Sequence, residues 1–334
     1  MHTKTVLIIT DNLPDQINGV VTTYKNIEAC ALLDGYRFVY LDPGWFNFVD
    51  CPRYNEVKIA YPRKIGEKIK EISPDYIHIA TEGPLGLFAR LYLDRNNLRY
   101  NTAYHTRFPE GIRKILGIPE WMTWLYIKWF HKHTGKILTT TKTMVEELEQ
   151  KGLRGNIVSW TRGVDRQIFY PRPKKLLENP KILMCVSRVS KEKNLEEFFK
   201  LKIPNTRKIM VGDGPMRYEY QADYPDVEFV GFKKGDELAA YYSMADVFVF
   251  PSRWETFGIV MIEAMACGAP VAAYPCPGPL DVVDEGVTGC LNENLEQAVH
   301  DALKLERQHV FECSQRWSWP HAWQIFRDNL TAIG

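Results

Sequence analysis

No run of apolar residues in this 334-residue chain approaches the roughly 18 that a membrane-spanning helix needs. The N-terminal run Val6–Thr10 stops at Asp11, too short for the core of a signal peptide, so the expected location is the cytoplasm. Cysteine offers no framework either. The seven residues Cys30, Cys51, Cys185, Cys267, Cys276, Cys290 and Cys313 are odd in number and never spaced C-x-x-C. That pattern argues against a disulfide scaffold and a cysteine zinc site, and it fits a reducing compartment. The dinucleotide fingerprint G-x-G-x-x-G and the P-loop G-x-x-x-x-G-K-[ST] are both missing, which disfavours dehydrogenases and P-loop nucleotidases. There is no H-x-x-x-H and no carboxylate cluster with metal spacing, and His131 and His133 are two apart, which on a helix does not face one ion. Internal repeats and low-complexity tracts are also absent.

Net charge is nearly missing as well, with 42 basic against 41 acidic side chains. The balance conceals a split. Residues 1–172 carry 24 basic and 18 acidic groups, a net +6, while residues 173–334 carry 18 and 23, a net −5. Oppositely charged halves point to two domains with different partners.

What is present is a series of short, continuous apolar runs alternating with amphipathic segments. Val6–Ile9, Phe38–Leu41, Tyr76–Ile79, Asn101–Tyr104, Lys136–Thr139 and Ile157–Trp160 form a first set. Lys181–Val186, Lys208–Val211, Val227–Val230, Val247–Phe250 and Pro270–Ala273 form a second. Continuous rather than alternating hydrophobicity implies strands covered on both faces, hence parallel sheets. The expected fold is α/β, two doubly wound Rossmann-like domains facing a central cleft, with ligands at the carboxyl ends of the strands.

Polar signals follow several of these strands. After Lys181–Val186, Arg188 and Lys193 lie in a turn leading into a helix, a cationic seat for a diphosphate or simply a solvated loop. Gly212-Asp213-Gly214-Pro215 follows the next strand, where a tight turn is a sufficient explanation. After Val247–Phe250, Glu255 falls in a loop and Glu263 in the early turns of a helix, so both carboxylates can reach one ligand. Amides at that helix start can face a phosphate. A helix-entry carboxylate stabilised by the dipole is the competing reading of Glu255.

The segment P-S-x-x-E-T-F-G-I-V-x-I-E-A-M-A-C-G-x-P-V around Glu255 and Glu263 resembles the signature of retaining GT-B glycosyltransferases of family four, in particular the mannosyl- and glucosyltransferase-like subgroup. Asn18-Gly19-Val20, Thr81-Glu82-Gly83-Pro84, His105-Thr106-Arg107-Phe108-Pro109-Glu110, Arg162-Gly163-Val164-Asp165, Arg188 with Lys193, Gly212–Pro215 and Gly278-Pro279 resemble the same family in the same order.

The resemblance implies an acceptor-side domain at 1–170, a donor domain at 171–315, and a C-terminal helix at 316–334 crossing back to the first domain. It implies a nucleoside diphosphate sugar donor, GDP- or UDP-linked, with no metal and no other cofactor. Arg188 and Lys193 would neutralise the diphosphate, Glu263 would accept from ribose hydroxyls, and Glu255 would contact the donor sugar. Gly212 and the amides of Phe257 and Gly258 would line the donor, Gly231 and Phe232 would sit by the base, and Gly19 would admit the diphosphate closely. His105 would reach the anomeric region, so His105, Glu255, Arg188 and Lys193 are the candidate catalytic groups. The chain departs from the family pattern in its short length and in lacking a doubled glycine at Gly19-Val20-Val21.

Between Pro119 and His133 the sequence is dense in aromatics and lysines, with Trp121, Trp124, Leu125 and Lys128 expected on one helix face. It reads either as a core helix or as a membrane-interface helix. With the basic first half, Arg113, Lys114, Lys128 and Lys132 are the expected acceptor surface, toward an anionic membrane first and a polyanion such as nucleic acid second. No obligate protein partner is evident. A GT-B phosphorylase, a sugar-nucleotide epimerase and a non-catalytic sugar-nucleotide-binding module remain as alternatives to transfer.

Overall fold

A computed structural model describes residues 3–16, 18–51, 54–173 and 180–334, the side chains of 51, 54–57 and 114–116 excepted. The chain forms two units, one of Met1–Arg162 with Trp319–Gly334 and one of Gly163–Ser318.

In the first unit the order is β1 (Lys4–Ile9), α1 (Gly19–Leu33), β2 (Tyr36–Leu41), β3 (Phe48–Cys51), β4 (Tyr54–Ala60), α2 (Ile65–Ile72), β5 (Tyr76–Ile79) and α3 (Pro84–Arg95). It continues with β6 (Asn101–Tyr104), α4 (Phe108–Leu116), α5 (Glu120–Phe130), β7 (Ile137–Thr139), α6 (Lys142–Gln150) and β8 (Ile157–Ser159). Six strands form a sheet in the order β2-β1-β5-β6-β7-β8, and every pairing in it is parallel. Val6, Leu7, Ile8 and Ile9 are fully buried, as expected of a strand covered on both faces. The antiparallel hairpin β3–β4 stands apart from this sheet.

The second unit holds β9 (Lys181–Val186), α7 (Glu196–Phe199), β10 (Thr206–Val211), α8 (Arg217–Asp223), β11 (Val227–Gly231), α9 (Gly235–Met244) and β12 (Val247–Phe250). Then follow α10 (Ile259–Ala266), β13 (Val271–Ala273), α11 (Pro279–Val282), β14 (Gly289–Leu291), α12 (Leu295–Ala302) and α13 (Arg307–Ser314). Its sheet, β11-β10-β9-β12-β13-β14, is again wholly parallel. Both units are doubly wound α/β folds. Each sheet reverses its winding next to its first strand, between β1 and β5 and between β9 and β12. Those switch points are where open α/β sheets bind ligands.

The break between units falls at Arg162/Gly163 rather than 170/171, because Val164 and Phe169 are buried in the core of the second unit. The return falls at Ser318/Trp319 rather than 315/316, and Trp317 stacks edge-on against Phe257 in the second unit.

The last helix, α14 (Trp319–Asp328), packs on α1 in the first unit. Trp323 Nε1 donates to Asp34 Oδ2 at 2.7 Å, and Arg327 pairs with the same carboxylate at 2.8 Å. Trp160 Nε1 donates to the Ala322 carbonyl at 2.9 Å, and Phe326 meets His78 edge-on. Trp323 is 3% exposed, so Trp323→Ala removes a packed indole and should cost about 3–5 kcal/mol. Chemical denaturation checks this, and a loss under about 1 kcal/mol would mean the helix is not integral to the first unit.

Candidate active site

In the second unit three loops meet at the carboxyl ends of β10, β9 and β12. The loop after β9 lies against the turn after β10: Ser187 N donates to the Val211 carbonyl, Val189 N to the Asp213 carbonyl and Met216 N to the Val189 carbonyl. The glycines are what permit this approach. A Cβ on Gly212 would stand 1.9 Å from the Ser187 carbonyl oxygen, and one on Gly214 2.4 Å from that of Val189. Gly212-Asp213-Gly214 is therefore more than a tight turn. It holds the backbone on both sides of Arg188, whose side chain is exposed.

Lys193 closes a short 3₁₀ turn, and Asn194 follows with φ 55°, its amide donating to the Pro251 carbonyl at 3.2 Å. That bond ties the β9 loop to the β12 loop across the switch point. Lys193 Nζ meets Glu255 Oε2 at 3.2 Å, both side chains about a quarter exposed. The Glu255 charge raises the ammonium above its ordinary range and outweighs the opposing effect of burial, so Lys193 stays protonated.

Glu263, in the second turn of α10, is half-buried and accepts from Tyr242 Oη at 3.0 Å. Burial pushes its carboxyl up to about 7, with the tyrosine bond working in the other direction. Gly258 caps α10 in the left-handed region at φ 83°. The Phe257 ring is buried against Trp317. At the end of β11, Gly231 is buried and Phe232 is 46% exposed.

The first unit has its own polar cluster. At the β1/β5 switch point, Asp11 accepts from Thr81 Oγ1 at 2.6 Å and from Leu85 N at 2.8 Å, which caps α3. Burial lifts its carboxyl to about 6. Asn18 caps α1, accepting from Val20 N and Val21 N, so Gly19 stands exposed as the first residue of that helix.

His105 does not stand open to solvent. It is 6% exposed and both ring nitrogens are engaged. Arg162 donates to Nδ1 at 3.1 Å, and Tyr24 Oη lies 2.8 Å from Nε2 and 2.7 Å from His78 Nε2. A guanidinium can only donate, so Nδ1 of His105 is the acceptor and its proton sits on Nε2. That proton goes to Tyr24, the tyrosine proton goes to His78 Nε2, and the His78 proton resides on Nδ1, a buried atom without a partner. Direction thus runs from Arg162 through His105 and Tyr24 to His78. Burial, reinforced by Arg162 and then His78, holds His105 well below the ordinary histidine range. Burial alone takes His78 down to about 3.

Along α5, Trp124 faces inward with Thr123, Ile127 and Phe130 and stacks on Tyr104. The expected single face therefore divides. Trp121 (65% exposed), Met122, Leu125 (59%) and Trp129 remain outside, with Lys128 and Lys132 exposed beside them. Arg113 is exposed but paired with Glu120 at 2.8 Å, and the Lys114 side chain lies outside the described residues. Among the described residues no group of three or more His, Cys, Asp or Glu is arranged to hold a metal ion, and no helix is long and apolar enough to cross a membrane.

The imidazoles supply a pH test. Unfolded, His78 takes up a proton as pH falls through about 6.5, whereas folded it resists until about 3. The unfolded chain binds more protons in that window, so stability falls as pH falls. Asp11 acts oppositely, because its raised pKa gives stability at low pH that is lost as pH rises from 3.8 to about 6. His78→Gln should lower stability at neutral pH yet flatten its decline from about 6.5 toward 3. Unfolding midpoints across pH would reveal an unchanged slope if the acid sensitivity resides elsewhere.

Residues 20–168 match the family model Glycosyltransferase Family 4, and residues 167–313 match Glycosyl transferases group 1. A GDP-mannose-dependent alpha-mannosyltransferase of Mycobacterium tuberculosis (strain CDC 1551 / Oshkosh) is 30% identical over 297 residues, 84% of this chain and 78% of that protein. One of the same name from Corynebacterium glutamicum is 26% identical over 346 residues, 93% of this chain and 83% of that one. In fold, the solved structure of sucrose-phosphate synthase from Thermosynechococcus elongatus is similar at a TM-score of 0.80 with 18% identity, over 97% of this chain and 98% of the other. With this sequence kinship and two doubly wound units, the chain belongs to the family 4 glycosyltransferases, GT-B enzymes that transfer a sugar from a nucleotide-linked donor.

Proposed function

We propose that the enzyme transfers a hexose, mannose first and glucose second, from a GDP- or UDP-linked donor to a hydroxyl acceptor with retention of configuration. The observation that carries this is the Lys193–Glu255 pair spanning the β9/β12 switch point beside the loop of Arg188. Cleaving the anomeric C–O bond leaves positive charge on the sugar and negative charge on the departing diphosphate. Arg188 and Lys193 oppose the second, and Glu255 beside Lys193 is in place for a hydroxyl of the sugar. Glu263 offers carboxylate oxygens to the ribose diol. Gly231 and Phe232 are the site for the base, with Gly212 and Gly258 as the close-approach backbone. His105, neutral and held at both nitrogens, contributes position rather than proton transfer. The names of the two mannosyltransferases favour GDP-mannose among the donors.

Arg188→Ala or Lys193→Ala should reduce transfer on the order of 100-fold while the circular dichroism spectrum stays native. Near-normal turnover in either variant would remove these cations from the leaving-group role. Because fixed cations carry that role, a chelator should leave turnover unchanged, and strict dependence on a divalent ion would overturn the electrostatic account. In a thermal-shift series, the true nucleoside diphosphate should raise the melting temperature as RT ln(1 + [L]/Kd) requires.

The proposed acceptor lies in or beside an anionic surface. The first unit carries 23 basic against 18 acidic groups, the second 19 against 23. On the first unit, the outward row of α5 combines Trp121, Met122 and Leu125 with Lys128, and Lys132 stands exposed in the turn that follows, the composition of an interfacial helix. Cosedimentation with anionic vesicles should occur at low salt, weaken at high salt, and fall in Lys128→Glu/Lys132→Glu without loss of nucleotide affinity. Binding to duplex DNA instead would favour a polyanionic acceptor. Indifference to both would favour a small neutral one.

A further inference from the structure

Tyr242 lies in the last turn of α9, which packs against α10 in the second unit. Its side chain is wholly buried, with the ring meeting Phe248 of β12 and Phe169 edge-on at centroid distances of 5.7 and 6.0 Å. With the ring so held, the hydroxyl ends 3.0 Å from Glu263 Oε2. Glu263 is half-buried, and its Oε1 takes no hydrogen bond among the described residues.

A buried phenol needs a partner, and a backbone carbonyl of the core would meet that need without a charge beside it. The partner here is instead a carboxylate on the helix that follows β12, at the switch point of the sheet. That choice has two effects. A hydroxyl that donates to a carboxylate favours the ionised form, against the burial that raises the Glu263 carboxyl to about 7. Without it the carboxyl would titrate higher still and, at neutral pH, would lose acceptor capacity to its own proton. The bond also fixes one oxygen in advance, so less rotamer freedom is lost when a ligand meets the other. Cys267 on α10 and Cys185 of β9 are the other titratable groups facing the pair, with Arg172 and Arg307 beyond the first and Lys193 beyond the second. Burial keeps both thiols protonated, so neither supplies a charge that could take the tyrosine's place.

We infer that Tyr242 is a positioning residue for nucleotide recognition: its hydroxyl orients Glu263 and keeps it an acceptor for both hydroxyls of the ribose. The inference rests on the reading of Glu263 as the ribose contact. It adds that preference for ribose depends on a buried side chain that acts through another.

Calorimetric titration of the full chain tests it, with GDP and 2′,3′-dideoxy-GDP as one pair of probes and UDP and 2′,3′-dideoxy-UDP as the other. Taking the ratio of dissociation constants within a pair cancels the titration of the diphosphate itself. In the native chain the ribonucleotide of the matching pair should bind about tenfold more tightly. Tyr242→Phe should erase most of that margin at neutral pH, weakening the ribonucleotide and leaving the dideoxy nucleotide within about twofold. The margin should return as pH rises, because a buried carboxyl without its donor ionises late. Glu263→Gln should abolish it at every pH, and in that background Tyr242→Phe should cost nothing further. Calorimetry counts competent sites, so both constants stay measurable even on a partly unfolded variant. Equal weakening of both nucleotides by Tyr242→Phe, or losses that add in the double variant, would make the tyrosine a packing residue and overturn the inference. A margin that Glu263→Gln removes and Tyr242→Phe leaves intact at every pH sinks the positioning role alone. A native chain that binds nucleotide with no preference for ribose sinks the reading of Glu263 as well.

Discussion

Two sheets that bury both faces leave few places for a polar side chain. In β1 and β12 the residues Val6–Ile9 and Val247–Phe250 are all buried and apolar, so most charge collects where strands end, and the cations buried elsewhere, Arg90 and Lys208, are paired with Asp94 and Asp226. At those ends the chain turns, backbone N–H groups point outward, and loops that are distant in sequence come side by side. Asp11 with Thr81, Arg188's loop with Gly212, and Lys193 with Glu255 all arise from that single exclusion.

The two clusters solve the problem of buried polarity differently. In the second unit, charge is answered by opposite charge, and Lys193 keeps its proton because Glu255 faces it. In the first, one buried cation, Arg162, heads a row of neutral groups. His78 and His105 are neutral, and Tyr24 carries the hydrogen-bond direction between them. A single guanidinium followed by neutral groups costs less to desolvate than a set of ions, at the expense of leaving one end, His78 Nδ1, without a partner.

Most of the architecture is legible in the sequence because continuous runs such as Tyr76–Ile79 and Val247–Phe250 have few other uses than doubly covered strands. The hairpin β3–β4 is not, since its residues mix charge and aromatics and it joins neither main sheet. Strand β14 (Gly289–Leu291) combines a glycine, a cysteine and a single leucine, without a Val/Ile run like that of β1. Family motifs mark Glu255 and Lys193 but do not say that they touch. Contacts over long separations, such as Asp11 with Thr81 or Tyr24 with both histidines, leave no periodic trace. The glycines at 212 and 214 look like turn formers, and only the three-dimensional approach of the Ser187 and Val189 carbonyls shows that space is what they supply. On α5, one-face counting fails at Trp124 because the inward stripe is wide enough to take it.

The return of α14 to the first unit also bears on synthesis. Residues 163–318, an entire second unit, interrupt a fold whose remaining parts are Met1–Arg162 and Trp319–Gly334. Ribosomes deliver the chain from its amino end, so the first unit to emerge is the last to be completed. Until Trp319–Gly334 appear, α1 lacks the helix that covers it, and Asp34 lacks both Trp323 and Arg327. The inserted unit can close on its own meanwhile, because its sheet draws only on its own strands. A nascent chain of this protein thus passes through a stage with one finished unit and one open apolar flank, the kind of surface on which chaperones act.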